Sequence, residues 1–214
     1  MMCQKRFAFF LPIVLSIFLA TVNSFAQTPI PGTPVPEPAP GQDEITTQQA
    51  RLELARLLSY SKRYDEAIAE YKMLLKDTPD DFTVQAELAR VYYWKGDETR
   101  ALTMLRALPQ TALDTESALV LADIYAATKQ YEQATALYKR HLQSTPNDDT
   151  TRLKLADTLS WMKQYPESLA QYKQILAKHP HDIQVRRRYA RVLSWAGRTD
   201  DAIKELQMTL KPTP

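Results

Sequence analysis

One helix-turn-helix pattern recurs along this chain about every 34 residues, and that period restricts the fold more than any other feature. Aligned on a small residue in the second half of each copy, the units mark Ala67, Ala101, Ala134, Ser168 and Ala202, spaced by 34, 33, 34 and 34 residues. Thirteen positions before each anchor stands Leu54, Leu88, Leu121, Leu155 or Tyr189, and an alanine follows every time: Ala55, Ala89, Ala122, Ala156, Ala190. Small side chains at both places let two helices approach closely. Four positions after the anchor comes Tyr71, Leu105, Tyr138, Tyr172 or Leu206, and twelve after it Pro79, Leu113, Pro146, Pro180 or Pro214.

Residues 149–182 show what one copy contains. Leu153, Leu155, Ala156 and Leu159 fall on one helical stripe and Leu169, Tyr172, Ile175 and Leu176 on a second, the spacing of amphipathic helices. Pro166 suits a first helical turn, where its missing N–H is not needed, and Pro180 ends the helix. Neither helix can bury its stripe alone, so neighbouring copies must supply the cover. In period and in the order of leucine, small residue, aromatic and proline, residues 48–214 resemble the tetratricopeptide repeat family. The resemblance implies an all-α solenoid of about five helix-turn-helix units within 47–214, near 48–81, 82–114, 115–148, 149–182 and 183–214. The tryptophan often found early in that family's first helix is replaced here by Arg51, Gln85, Ala118, Arg152 and Arg186. In the second unit Pro109 predicts a second helix, Glu98 to Leu108, cut short. Tetratricopeptide arrays usually finish with an extra polar helix. The fifth unit reaches Pro214 without one, so Leu206, Met208 and Leu210 are expected to leave an open apolar face for self-association or a partner.

A hydrophobic content of 44% with only four glycines suits a helical globular chain. Residues 1–26 read differently: Lys5 and Arg6, an apolar run from Phe7 to Val22, then Ser24-Phe25-Ala26. This is the pattern of a secretory leader cleaved after Ala26. The run holds 16 residues and Pro12, short of the roughly 20 needed to span a bilayer, which favours cleavage over a retained anchor. The expected location is therefore periplasmic or secreted. Residues 27–46 form a linker whose six prolines from Pro29 to Pro40 favour an extended polyproline tether. The only cysteine, Cys3, lies in the leader, leaving no thiol for a disulfide or metal site. Without the leader, 25 basic residues face 25 acidic ones, so no overall charge argues for nucleic acid or an anionic membrane.

Functional candidates come from phase. The resemblance implies that first helices line a concave groove. Seven positions before each anchor are Tyr60, Trp94, Ala127, Trp161 and Trp195, which accounts for all three tryptophans. Eleven before are Arg56, Arg90, Asp123, Asp157 and Arg191, one turn away on the same helix face. The expectation is an aromatic row beside alternating basic, acidic and basic zones, with the rings either open to the groove or packed between units. Of the run Arg186-Arg187-Arg188, only Arg187 is expected near it. Flat rings with charged neighbours suit extended peptides and also sugars. No phosphate loop, nucleophile elbow or zinc-protease motif occurs, and the histidines lack the spacing of a metal site. The reading is a non-enzymatic scaffold of the bacterial cell envelope, without cofactor, binding a protein or peptide. Polysaccharide export or biofilm assembly is the alternative, suggested by the repeated Leu-Ser-Trp at 159–161 and 193–195.

Overall fold

The computed structural model describes residues 46–210; the expected leader, the proline-rich segment up to residue 45 and Pro214 lie outside them. Ten α-helices follow one another with no strand among the described residues. The first helices of the five units are α1 (Thr47–Tyr60), α3 (Phe82–Lys95), α5 (Thr115–Ala127), α7 (Asp149–Trp161) and α9 (Ile183–Trp195). The second helices are α2 (Tyr64–Asp77), α4 (Glu98–Ala107), α6 (Tyr131–Ser144), α8 (Tyr165–Lys178) and α10 (Thr199–Met208). Each helix packs on its neighbours in sequence, and α3 also meets α5.

Every first helix starts on a side-chain cap. Thr46 and Gln49 form a reciprocal capping box at α1, and Asp81, Asp114, Asp148 and Asp182 each accept the N–H three residues on at α3, α5, α7 and α9. These satisfy amide donors that no helical carbonyl can reach. Between the two helices of a unit the backbone turns left-handed at Lys62, Gly96, Lys129, Lys163 and Gly197.

The small residues do what their size permits. Ala55, Ala89, Ala122, Ala156 and Ala190 are fully buried, as are Ala67, Ala101, Ala134 and Ser168. Ser168 also donates its hydroxyl to the Ala156 carbonyl at 2.7 Å, tying α8 to α7. Where the family's tryptophan is missing, polar side chains clamp the turn instead. Gln85, Arg152 and Arg186 donate to the carbonyls of Pro79, Pro146 and Pro180, each at 2.5 Å. Arg51, Arg152 and Arg186 also reach Glu70, Gln171 and Glu205 on the second helix of their own unit. Helix α4 spans 10 residues against 14 for α2, α6 and α8. It stops at Ala107, one residue earlier than the sequence suggests, because the ring of Pro109 drives the preceding residue out of the helical region. Leu108 is extended, and a 3-10 turn (Gln110–Ala112) leads on to α5.

Candidate functional site

The charged residues eleven positions before the anchors are largely consumed in building the array. Arg56 of α1 donates two hydrogen bonds, 2.6 and 3.0 Å, to Glu87 of α3, which also accepts from the Tyr71 hydroxyl at 2.9 Å. Asp123 of α5 accepts from Tyr138 at 2.6 Å and pairs with Lys154 of α7 at 2.7 Å. Asp157 of α7 accepts from the Tyr172 hydroxyl and pairs with Arg188 of α9 at 2.5 Å. One arrangement thus joins three junctions, with the acid and base exchanged between the first and the other two. Burial, and then the hydrogen bonds to Asp123 and Asp157, push the Tyr138 and Tyr172 hydroxyls far above the ordinary tyrosine range. Arg90 differs, since Val120 stands where its partner would be. Its buried guanidinium turns to Asp114 at 2.6 Å and to the Ser117 hydroxyl at 3.0 Å.

The aromatic row is equally uneven. Tyr60 is exposed at one end, Trp94 is half-buried against the core of the first two units, and Ala127 interrupts the series. Trp161 and Trp195 are 51% and 49% exposed. Trp161 rests on Tyr131 at the start of α6, ring centres 5.7 Å apart and planes tilted by 40°. One edge of the ring is therefore held while the rest stays open.

In units four and five the candidates converge. Asp157, Ser160 and Trp161 of α7 and Gln184, Arg187, Arg188, Arg191 and Trp195 of α9 border an open groove of about 480 Å³, with Tyr172 and Val192 in its wall. The charge differs from the expected opposition of Asp157 to Arg191. Asp157 is already engaged by Arg188 and Tyr172, whereas Arg187 and Arg191 line the groove with no ion pair among the described residues. Three guanidinium groups face one carboxylate, so this segment is basic. Arg188 corrects the sequence reading that placed only Arg187 here. Positions 184, 187, 188, 191 and 195 are one face of α9, and that spacing was the available signal. Arg186 points away, to Glu205. The remaining candidates, Tyr60, Arg56, Arg90, Trp94 and Asp123, are not part of this groove. His141 and His179 are engaged by Asp148 at 2.8 Å and Asp149 at 3.1 Å.

Comparison with known proteins identifies the repeat. A tetratricopeptide repeat family model matches residues 58–124 and 162–214, and a second one matches 117–153. Among solved structures, MamA AMB-1 is 21% identical with a TM-score of 0.68, over 76% of this chain and 96% of its own. YrrB, described as a TPR protein with an unusual peptide-binding site, is 17% identical with a TM-score of 0.67, over 75% of this chain and 83% of its own. At these identities the likeness is one of fold. No curated protein matches the chain.

Proposed function

Because the chain belongs to the tetratricopeptide repeat family, we propose that it is a non-enzymatic protein-interaction scaffold whose α7–α9 groove takes an extended peptide segment bearing carboxylates. One observation carries this reading: two half-exposed tryptophans flank two arginines that form no ion pair among the described residues. Guanidinium forks suit carboxylates, and rings held at one edge offer apolar faces at little entropic cost. The description of YrrB as peptide-binding supports the class of ligand. On the leader pattern of residues 1–26 the protein acts in the bacterial envelope, outside the cytoplasm.

The test uses a library of extended peptides of graded acidity, with tryptophan fluorescence as readout, since two of the three tryptophans border the groove. Acidic peptides should change the emission and basic ones should not. Truncating Trp161 or Trp195 to alanine should weaken binding by roughly 1–3 kcal/mol with little change in melting temperature, and Trp94→Ala should mainly cost stability. Equal response to all peptides, or large melting losses in both groove variants, would return the rings to a packing role. An acidic polysaccharide would meet the same arginines. It is identified if partners captured from envelope extract are lost after glycan digestion rather than after proteolysis.

A further inference from the structure

The same positions form three of the four internal junctions. On the second helix they lie one and four residues after the anchor, where Ile68, Tyr71, Thr135, Tyr138, Leu169 and Tyr172 are buried. On the following first helix they lie thirteen and ten before it, where Leu88, Val91, Leu155, Thr158, Tyr189 and Val192 are buried. The contact is explicit between units four and five, where the Tyr172 and Tyr189 rings stand 6.4 Å apart. Two outward faces repeat these positions uncovered. Helix α1 exposes Leu54 by 45% and Leu57 by 64%, and α10 exposes Ile203 by 48% and Leu206 by 44%. Met208 belongs to neither class, because its counterpart Met73 is exposed within the array as well.

Charge completes the match. At the first junction Arg56, eleven before its anchor, pairs with Glu87, fourteen before the next anchor. Arg191 is the equivalent of Arg56 in the fifth unit and Glu53 is the equivalent of Glu87 in the first. Both are exposed.

We propose that a second copy of the chain docks head to tail, its α1 face on the α9–α10 face of the first, with Arg191 pairing with Glu53 as Arg56 pairs with Glu87. A symmetric dimer through either face would join two like faces and leave Glu53 or Arg191 without an opposite charge, whereas the head-to-tail contact pairs them. The two faces differ, so each added copy leaves one of each open. Such a heterologous contact continues beyond two copies unless the rotation closes a ring. Arg191 also lines the groove, so in an assembled array it is spent on Glu53 in every copy but the last, and Arg187 remains there for a carboxylate.

Sedimentation of the purified protein over a range of concentrations tests the proposal. The average mass should rise past that of a dimer at low salt and fall as salt screens the pair. Arg191→Glu or Glu53→Arg alone should weaken association by at least about tenfold, with helical content unchanged by circular dichroism. Mixing the two variants restores opposite charges at every contact and should restore assembly. The idea is overturned by a protein that stays monomeric throughout, by a dimer that grows no further and ignores both reversals, or by a mixture that remains dissociated.

Discussion

At five equivalent turns the chain must adopt positive φ: 61° at Lys62, 95° at Gly96, 62° at Lys129, 61° at Lys163 and 76° at Gly197. An L side chain there costs about 1–2 kcal/mol, while glycine gives up roughly 0.5–1 kcal/mol of unfolded-chain entropy instead. A Cβ on Gly96 would meet nothing within 4 Å, so Gly96→Ala isolates backbone strain and should destabilise by about 1 kcal/mol. Lys163→Gly should be neutral or gain up to about 1 kcal/mol on the same balance. Urea midpoints at constant slope measure both, and a neutral Gly96→Ala would mean the turn is not held left-handed in solution. This requirement was not legible beforehand. Two of the five positions carry a glycine that signals such a turn, and lysine at the other three does not.

Helix ends are where local sequence speaks most directly. The start at Pro166, the stop at Pro180 and the aspartates before four first helices act within three or four residues, so one unit suffices to read them. Asp148 shows the energetic side: it accepts the Thr151 N–H at 3.0 Å and hydroxyl at 2.7 Å, and meets His141 at 2.8 Å. Burial alone would raise its pKa, but those three partners outweigh burial and hold it below the ordinary value. Asp114 is likewise held low, with burial outweighed by the Ser117 N–H and Arg90. A carboxylate depressed in the fold contributes stability that is complete above its unfolded value, about 3.9, and is lost as pH falls through the lower folded value. The melting temperature should therefore begin to drop below about pH 4, and Asp148→Asn, which still caps but does not titrate there, should flatten part of that drop. At neutral pH Asp148→Ala should cost about 1 kcal/mol by loss of the cap. A variant whose acid profile matches the parent would remove Asp148 from this account.

Over the whole molecule, legibility failed where contacts cross units. The period, the paired small residues and the buried stripes could be read from one helix at a time, and the ten helices follow them. That Arg56, Asp123 and Asp157 are spent on residues 31 positions further on could not, since the pairing spans two helices and changes sign along the array. Among the described first helices only α9 carries arginines without an ion pair, Arg187 and Arg191, so the groove chemistry is local, not a property of every unit. The same neighbour-to-neighbour construction governs stability, which in such arrays is close to a sum of unit and junction terms. Removing residues 183–210 should then uncover Leu169, Tyr172 and Ile175, which pack on Val185, Tyr189 and Val192, and deprive Asp157 of Arg188. Hydrogen exchange should speed up in α8 and more weakly in α7, while α1 to α4, whose core includes no residue beyond Leu137, keep their protection. Loss of helicity in proportion to the residues removed fits a chain of coupled units, and collapse of protection in α1 to α4 would mean that the five units fold as one indivisible body.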